Sequence, residues 1–272
     1  MIPIQLNFPD GRTKNFLLPT GFDQLSQEQY LATIAIIKQA EREPSKQWML
    51  LIVLAKMSIP DIELLNAVQR IELLSTLEFI YDFEKLPSKC MIKKVHVTTK
   101  RHGLVSLFGP GDVFKHLSFA EFIMAEGKLE KFEKTQSVDA LDQLCGILYR
   151  PAAKDRKNQA DKRQPYQEGM VEYFAEFFQQ VDPDVKWAIL MNYYGAKNML
   201  PKMYKLVFPE PKKEEGEKPI KPKTRKSVSL SWLKTLSTMA ERDVTKFKSI
   251  EAMPAHTVLF NLNETILQNP VK

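Results

Sequence analysis

Apolar positions along this chain recur mostly at three- and four-residue spacing, the period of an amphipathic helix, and alternate in two places. The first is Ile2, Ile4, Leu6 and Phe8, followed by the turn residues Asp10-Gly11 and a return over 13–18. This predicts a β-hairpin filling residues 1–20. The second is the β-branched run 91–99 with Ile92, Val95 and Val97, a turn at Arg101-His102-Gly103 and a return over 104–108. It predicts a second hairpin, an insert at 90–111.

Elsewhere the pattern is helical. Ser26 with Gln29 fits a capping box, in which each side chain bonds the other residue's amide. Tyr30, Leu31, Ile34 and Ile37 then share one face. Glu43-Pro44 breaks that helix, and another begins at Ser45 with Trp48, Leu51, Leu54 and Ala55. After Pro60-Asp61, residues 62–83 read as one long helix through Leu64, Leu65, Val68, Ile71, Leu74, Leu77 and Ile80.

The stretch 117–150 organises the rest and reads as two helices. Ser118 with Glu121 is a second capping box, and Phe119, Phe122, Ile123 and Ala125 follow at helical spacing. Glu121, Glu126, Lys128 and Glu130 fall mostly off that face, and Gly127 is expected to weaken or bend the helix. Ser137 is the expected N-cap of the second helix, with Asp139 and Asp142 near the positive end of its dipole. Its stripe is Val138, Leu141, Leu144, Cys145 and Leu148. Pro151 has no amide with which to continue, and it disfavours helical geometry at Arg150. Arg150 then sits at a helix C-terminus as a cap or local ion pair, or alternatively as a partner contact.

The basic loop 151–169 has no periodicity and is expected to be exposed and mobile. A helix over 170–180 carries Val171, Phe174, Phe177 and Phe178, and Asp182-Pro183 opens another that runs to about Met199. Gly195 is expected to weaken that helix and Pro201 to end or kink it. Residues 209–226 are Pro, Lys and Glu with almost nothing apolar, a linker by composition. In the tail, 227–272, Trp232, Leu233, Leu236 and Met239 share one side of a helix, Phe247, Ile250 and Met253 follow, and a last helix spans 255–267. So short a segment builds a poor core alone, and it is expected to dock on the body or to order against a partner. The expected fold is a mainly α multi-helix bundle over 21–208, with two small hairpins and a short C-terminal helical appendage.

Charge sharpens this picture. The formal net charge is +6, yet 150–163 holds six basic residues against two acidic, and 211–226 seven against three. The remainder is therefore slightly acidic. Basicity concentrated in connectors differs from the basic stripe of a nucleic-acid reader, so nucleic acid is a disfavoured partner. The opening residues lack the basic head and apolar body of a signal peptide, and no apolar run reaches membrane-spanning length. Cys90 and Cys145 are then expected to be free thiols.

Candidate chemistry is sparse. None of the four histidines, His96, His102, His116 and His256, pairs with a Cys or another His at metal-ligand spacing. Gly109-Pro110-Gly111 lacks the spacing and the Lys-Ser/Thr of a phosphate loop. The carboxylate pairs Asp139/Asp142 and Glu126/Glu130 stand at helical spacing but have no accompanying His, ligand set or Gly-rich loop, and they read as solvated faces or dipole-compensating residues. Phe177-Phe178 and Tyr193-Tyr194 are candidate base-stacking platforms whose simpler reading is core. No catalytic, cofactor-binding or metal-ligating residue emerges, and an enzyme is not expected.

With these elements in place, the chain resembles a tail assembly chaperone of a tailed bacteriophage or prophage. The resemblance rests on Leu117-Ser118-Phe119-Ala120-Glu121-Phe122 with Ala125-Glu126, and on Ala140-Leu141-Asp142 with Leu144, leading to Leu148-Tyr149-Arg150-Pro151. It continues in Asp182-Pro183, Tyr194-Gly195 and Phe208, covering roughly 22–208, and in the tail through Trp232, Leu236, Ala240, Met253 and Leu259. It implies a non-enzymatic, cofactor-free role in the cytoplasm of a bacterial host. Such chaperones bind the long, helical tape measure protein while the tail tube protein polymerises around it. It also implies that 209–226 can mark the boundary between a short form and a frameshifted long form. Eleven methionines, among them Met49, Met57, Met124, Met170 and Met203, supply soft side chains of the kind such a client surface uses. The candidate contacts are Phe122, Leu141 and Tyr149 with Arg150 in the central pair, and Trp232 in the tail. The competing readings are a structural component of a virion or similar assembly, and a nucleic-acid-associated accessory protein using 150–163 and 211–226.

Overall fold

The computed structural model of the chain describes residues 1–156, 159–209 and 228–269. It is mainly α with two small antiparallel sheets, as the pattern of apolar positions predicts. The chain folds as two compact units, each made of two separate stretches. Met1–Ile92 with Asp182–Ala196 form the first, and Lys93–Val181 with Lys197–Lys272 the second. Residues 21–208 are thus shared between the two units, and the described residues of the tail fall in the second. Of the linker expected at 209–226, all but residue 209 lies outside the described residues.

In the first unit β1 (Ile2–Asn7) and β2 (Thr13–Leu18) pair from Ile2 opposite Leu18 to Asn7 opposite Thr13. Leu6, Phe8, Phe16 and Leu18 are buried, whereas Ile2 is exposed. α1 (Gln27–Ala40) starts on the expected capping box: Ser26 Oγ accepts from the Gln29 amide at 3.2 Å, and Gln29 Oε1 accepts from the Ser26 amide at 3.0 Å. A 3-10 turn at Pro44–Trp48 leads into α2 (Met49–Ala55). The single helix expected over 62–83 is broken. α3 (Ile59–Leu64) is capped by Ser58 and carries Pro60 in its first turn. α4 (Ala67–Ser75) is capped by Asn66, which exchanges bonds of 2.9 and 3.1 Å with Gln69. Asn66 stabilises a new N-terminus at that point. The turn re-phases the helix, and Val68 and Ile71 come out exposed.

The core of this unit surrounds Phe22, which stands edge-on to both Tyr30 and Phe79. The first part of a later helix, Pro183–Met203, completes it. Tyr30 donates its hydroxyl to the Ala188 carbonyl at 2.9 Å. The Asn192 amide group donates to the Pro87 and Lys89 carbonyls, each at 2.8 Å, and accepts from the Met91 amide at 2.9 Å. Gly195 does not interrupt the helix. Its missing Cβ makes room for the backbone of Leu86 and Pro87.

In the second unit β3 (Lys94–Thr99) and β4 (Gly103–Phe108) form the expected hairpin. α5 (Phe119–Thr135) runs unbroken through Gly127, and α6 (Val138–Leu148) follows. Ser137 holds the N-cap position of α6 but makes no side-chain capping bond, and Val138 is exposed while the rest of its stripe is buried. A short strand that periodicity did not reveal, β5 (Arg150–Pro151), pairs with β4. α7 (Val171–Phe178) and α8 (Pro183–Met203) come next, with Pro201 inside the last turns of α8. α9 (Val228–Met239), α10 (Phe247–Ala252) and α11 (Ala255–Gln268) complete the described chain. Trp232 of α9 packs edge-on against Phe119 and Phe122, with centroids 6.0 and 5.3 Å away. The Phe119 amide donates to the Met253 carbonyl at 2.8 Å, and the Ala255 amide to the Leu117 carbonyl at 2.9 Å. The tail thus docks along the first turns of α5, the first of its two expected fates.

Candidate partner-binding site

α5 presents two contrasting sides, and they start from one residue. Glu121 completes the capping box at Ser118: its Oε2 accepts from the Ser118 amide at 2.6 Å. Its other carboxylate oxygen lies 2.5 Å from an Nη of Arg150 and 3.4 Å from an Nη of Arg163. All three side chains are buried. Both guanidinium groups also donate to backbone carbonyls. Arg150 donates to Ile147 and, at 2.8 Å, to Gln164. Arg163 donates to Leu148 at 2.9 Å and to His116 at 2.6 Å, and it pairs with Asp161 at 2.9 Å. Burial alone would raise the Asp161 carboxyl, but the hydrogen bonds and charge of Arg163 outweigh it and hold the group below the usual carboxylate range.

The loop expected over 151–169 is exposed at most of its described positions, and this node ties it down at Arg150 and Arg163. Ala152 and Arg163 form a bridge, with flanking bonds from Ala153 to Lys162 at 2.9 Å and from Gln164 to Pro151 at 2.8 Å. The described ends of the loop are pinned to α5 and α6. Arg150 and Arg163, two of the cations the nucleic-acid reading relies on, are consumed internally. A buried cluster of one carboxylate and two guanidinium groups is a structural device, since leaving a charge unpaired in the interior is costly.

The expected contact residues are likewise interior. Phe122 is 1% exposed, Leu141 7%, Tyr149 2%, Arg150 1% and Trp232 8%. The structure brings Phe122 and Trp232 together in one aromatic cluster with Phe119 and Phe208, and Tyr149 against Phe178. These five residues build the unit and do not form its surface. The carboxylates Glu126 and Asp142, read as solvated, are buried as well, and Glu126 pairs with Lys197 at 2.7 Å. Phe177, Phe178 and Tyr193 are also buried, as core residues at helical spacing should be.

On its other side α5 borders a groove of about 620 Å³. Ala120, Ile123, Met124 and Gly127 form its floor, spaced to share one face of α5. Leu233 of α9, half exposed at 50%, and Ala252 of α10 form the opposite wall. Lys128, Lys131 and Lys248 rim it together with Glu168 and Glu251, and Tyr166 closes one end. The ring of Tyr166 lies 5.7 Å from the Arg150 guanidinium, so this end of the groove rests on the ionic node. The Tyr166 hydroxyl oxygen is shut off from solvent without a hydrogen-bond partner. Desolvation, added to by Glu168, Glu121 and Glu251, keeps the phenol protonated well above its ordinary range. The groove can take an apolar seam between charged rims. It offers no nucleophile with a base beside it.

Periodicity missed this groove because its floor mixes Ala, Gly and Met with apolar residues that also serve the core. Glu121 was visible as a cap but not as a counter-ion, since Arg150 and Arg163 arrive from later parts of the chain. Among the described residues no cluster of His, Cys, Asp or Glu could hold a metal ion, and no helix is long and apolar enough to cross a membrane. Cys90 and Cys145 are both buried and form no disulfide. No protein-family model, curated protein or solved structure matches the chain.

Proposed function

We propose that this chain is a non-enzymatic assembly chaperone for a phage tail, acting in the bacterial cytoplasm on the helical tape measure protein. The observation that carries the reading is the groove on α5. Its floor lies on α5, the helix whose first turns carry part of the resemblance, Ala120 among them, and its lining suits one face of an amphipathic helix. Met124 in the floor and Leu233 in the wall can repack around different side chains, which a chaperone meeting successive segments of a long client requires. The charged rim keeps the open groove soluble between encounters.

The test is capture. Tagged full-length protein is expressed with its native gene cluster, recovered through nuclease treatment and moderate salt, and its bound chains are identified by mass spectrometry. One very long, helix-rich protein is the expected recovery. Recovery of nucleic acid alone, or of nothing, overturns the reading. Stoichiometric retention of the protein in purified particles replaces it with a structural role in the virion.

A further inference from the structure

The charges around the groove are not evenly spread. At the start of α5, Tyr166 stands with Glu168 and Glu251 within electrostatic reach of its hydroxyl. Glu251 belongs there because α10 leads into Met253, whose carbonyl binds the Phe119 amide. Lys128 and Lys131 lie farther along α5, about 15–20 Å from Ser118 at the rise of an α-helix. Lys248 lies one turn farther from the Ser118 junction than Glu251, on the same helix. Neither Lys128, Lys131 nor Lys248 has an ion-pair partner within 4.0 Å among the described residues. The groove is therefore acidic at one end and basic at the other, with an apolar floor between.

We infer that this groove accepts an amphipathic helix of a protein partner in one orientation, parallel to α5, with a basic N-terminal end beside Glu168 and Glu251 and an acidic C-terminal end beside Lys128 and Lys131. The inference rests on the chaperone reading for the identity of the partner, but its chemistry comes from the groove. A helix carries partial positive charge at its N-terminus and partial negative charge at its C-terminus. Side-chain charges of the same sense add to that dipole, and the groove complements both. The reverse orientation sets like charges against each other at both ends, which opposes binding as strongly as the favoured one promotes it. The volume accommodates the apolar side of roughly two helical turns.

Two synthetic peptides decide the matter, each of about 18 residues and each labelled with fluorescein. Both have the same Leu/Ala seam. One carries lysines in its first turn and glutamates in its last, and the other has the two blocks exchanged. The exchanged peptide is the better isolated helix, because its charges oppose its own dipole. Tighter binding of the first peptide therefore cannot come from helicity alone. The exchanged peptide can match its side-chain charges to the groove only by docking antiparallel with its dipole opposed. Fluorescence anisotropy with the full chain is therefore expected to show the first binding several-fold tighter. The double variant Lys128→Glu with Lys131→Glu leaves both ends of the groove acidic and is expected to abolish the preference. Both lysines lack ion-pair partners, so the fold survives the change, which circular dichroism checks. Equal affinity of the peptides, binding of neither, or a preference unmoved in the double variant overturns the inference. If the peptides fail while the native client is still captured, the groove assignment falls and the chaperone reading stands. If capture also fails, both fall.

Discussion

Arg150 shows how far a single residue can be read. Its place before Pro151 fixes it at a helix end, and a local ion pair was one of its two expected roles. Its partner was not legible, because a capping-box glutamate looks complete at Glu121 once Ser118 is found. The structure gives that glutamate two tasks, the cap and the counter-charge for two buried arginines. Glu121→Ala should therefore cost far more than a lost cap. A cap alone is worth about 1 kcal/mol, while removing one partner of a buried charge network costs about 3–5 kcal/mol. Urea denaturation followed by circular dichroism measures it. A loss below about 1 kcal/mol would show that Arg150 and Arg163 are satisfied by their carbonyls and Asp161 without it. The same network ties down the described ends of the loop, which composition alone does not reveal.

At the scale of elements, helix positions were legible wherever a cap and a periodic stripe agreed, as at Ser26, Ser118 and Asp182-Pro183. They were misread where a stripe ran on past a cap. Asn66-Ala67-Val68-Gln69 carries the same signature as Ser26 to Gln29, yet Leu64, Leu65, Val68 and Ile71 sustain a helical period across it, and the break was overlooked. β5 was invisible for another reason: a two-residue strand has no period, and only β4 reveals it. Glycine carries the third lesson. Gly146 lies inside α6, where propensity alone says that Ala should stabilise by about 1 kcal/mol. A Cβ there would stand 2.8 Å from the Ala175 amide nitrogen and 2.9 Å from the Phe174 carbonyl carbon of α7. Both are backbone atoms that cannot step aside. Gly146→Ala is thus expected to destabilise by about 1–3 kcal/mol, with a fall in melting temperature. A rise would mean that α6 and α7 separate at little cost.

For the whole molecule, composition does not show how the chain divides into its two units. Both compact units are discontinuous in sequence, and a break in composition marks only where the chain is polar, not which stretches share a core. The tail looked separable because so short a segment cannot support itself. The same shortness explains why Trp232, Leu236 and Ile250 are buried in the second unit. Cutting the chain after residue 208 removes Trp232 from Phe119 and Phe122, and the Met253 carbonyl from the Phe119 amide. The truncated protein should then bind a dye specific for exposed apolar surface, self-associate, and melt at a lower temperature than the full chain. Identical melting would mean that the tail contributes nothing to the second unit. This outcome bears directly on how the capture experiment is read. A truncated chain that loses its client has lost the shape of α5, so the loss assigns no contact to the tail. Leu233→Glu asks the question properly. Leu233 is half exposed and lines the groove, whereas its neighbour Trp232 holds the core. The variant should keep the melting temperature and lose the client, and unchanged capture would place the client elsewhere on the molecule.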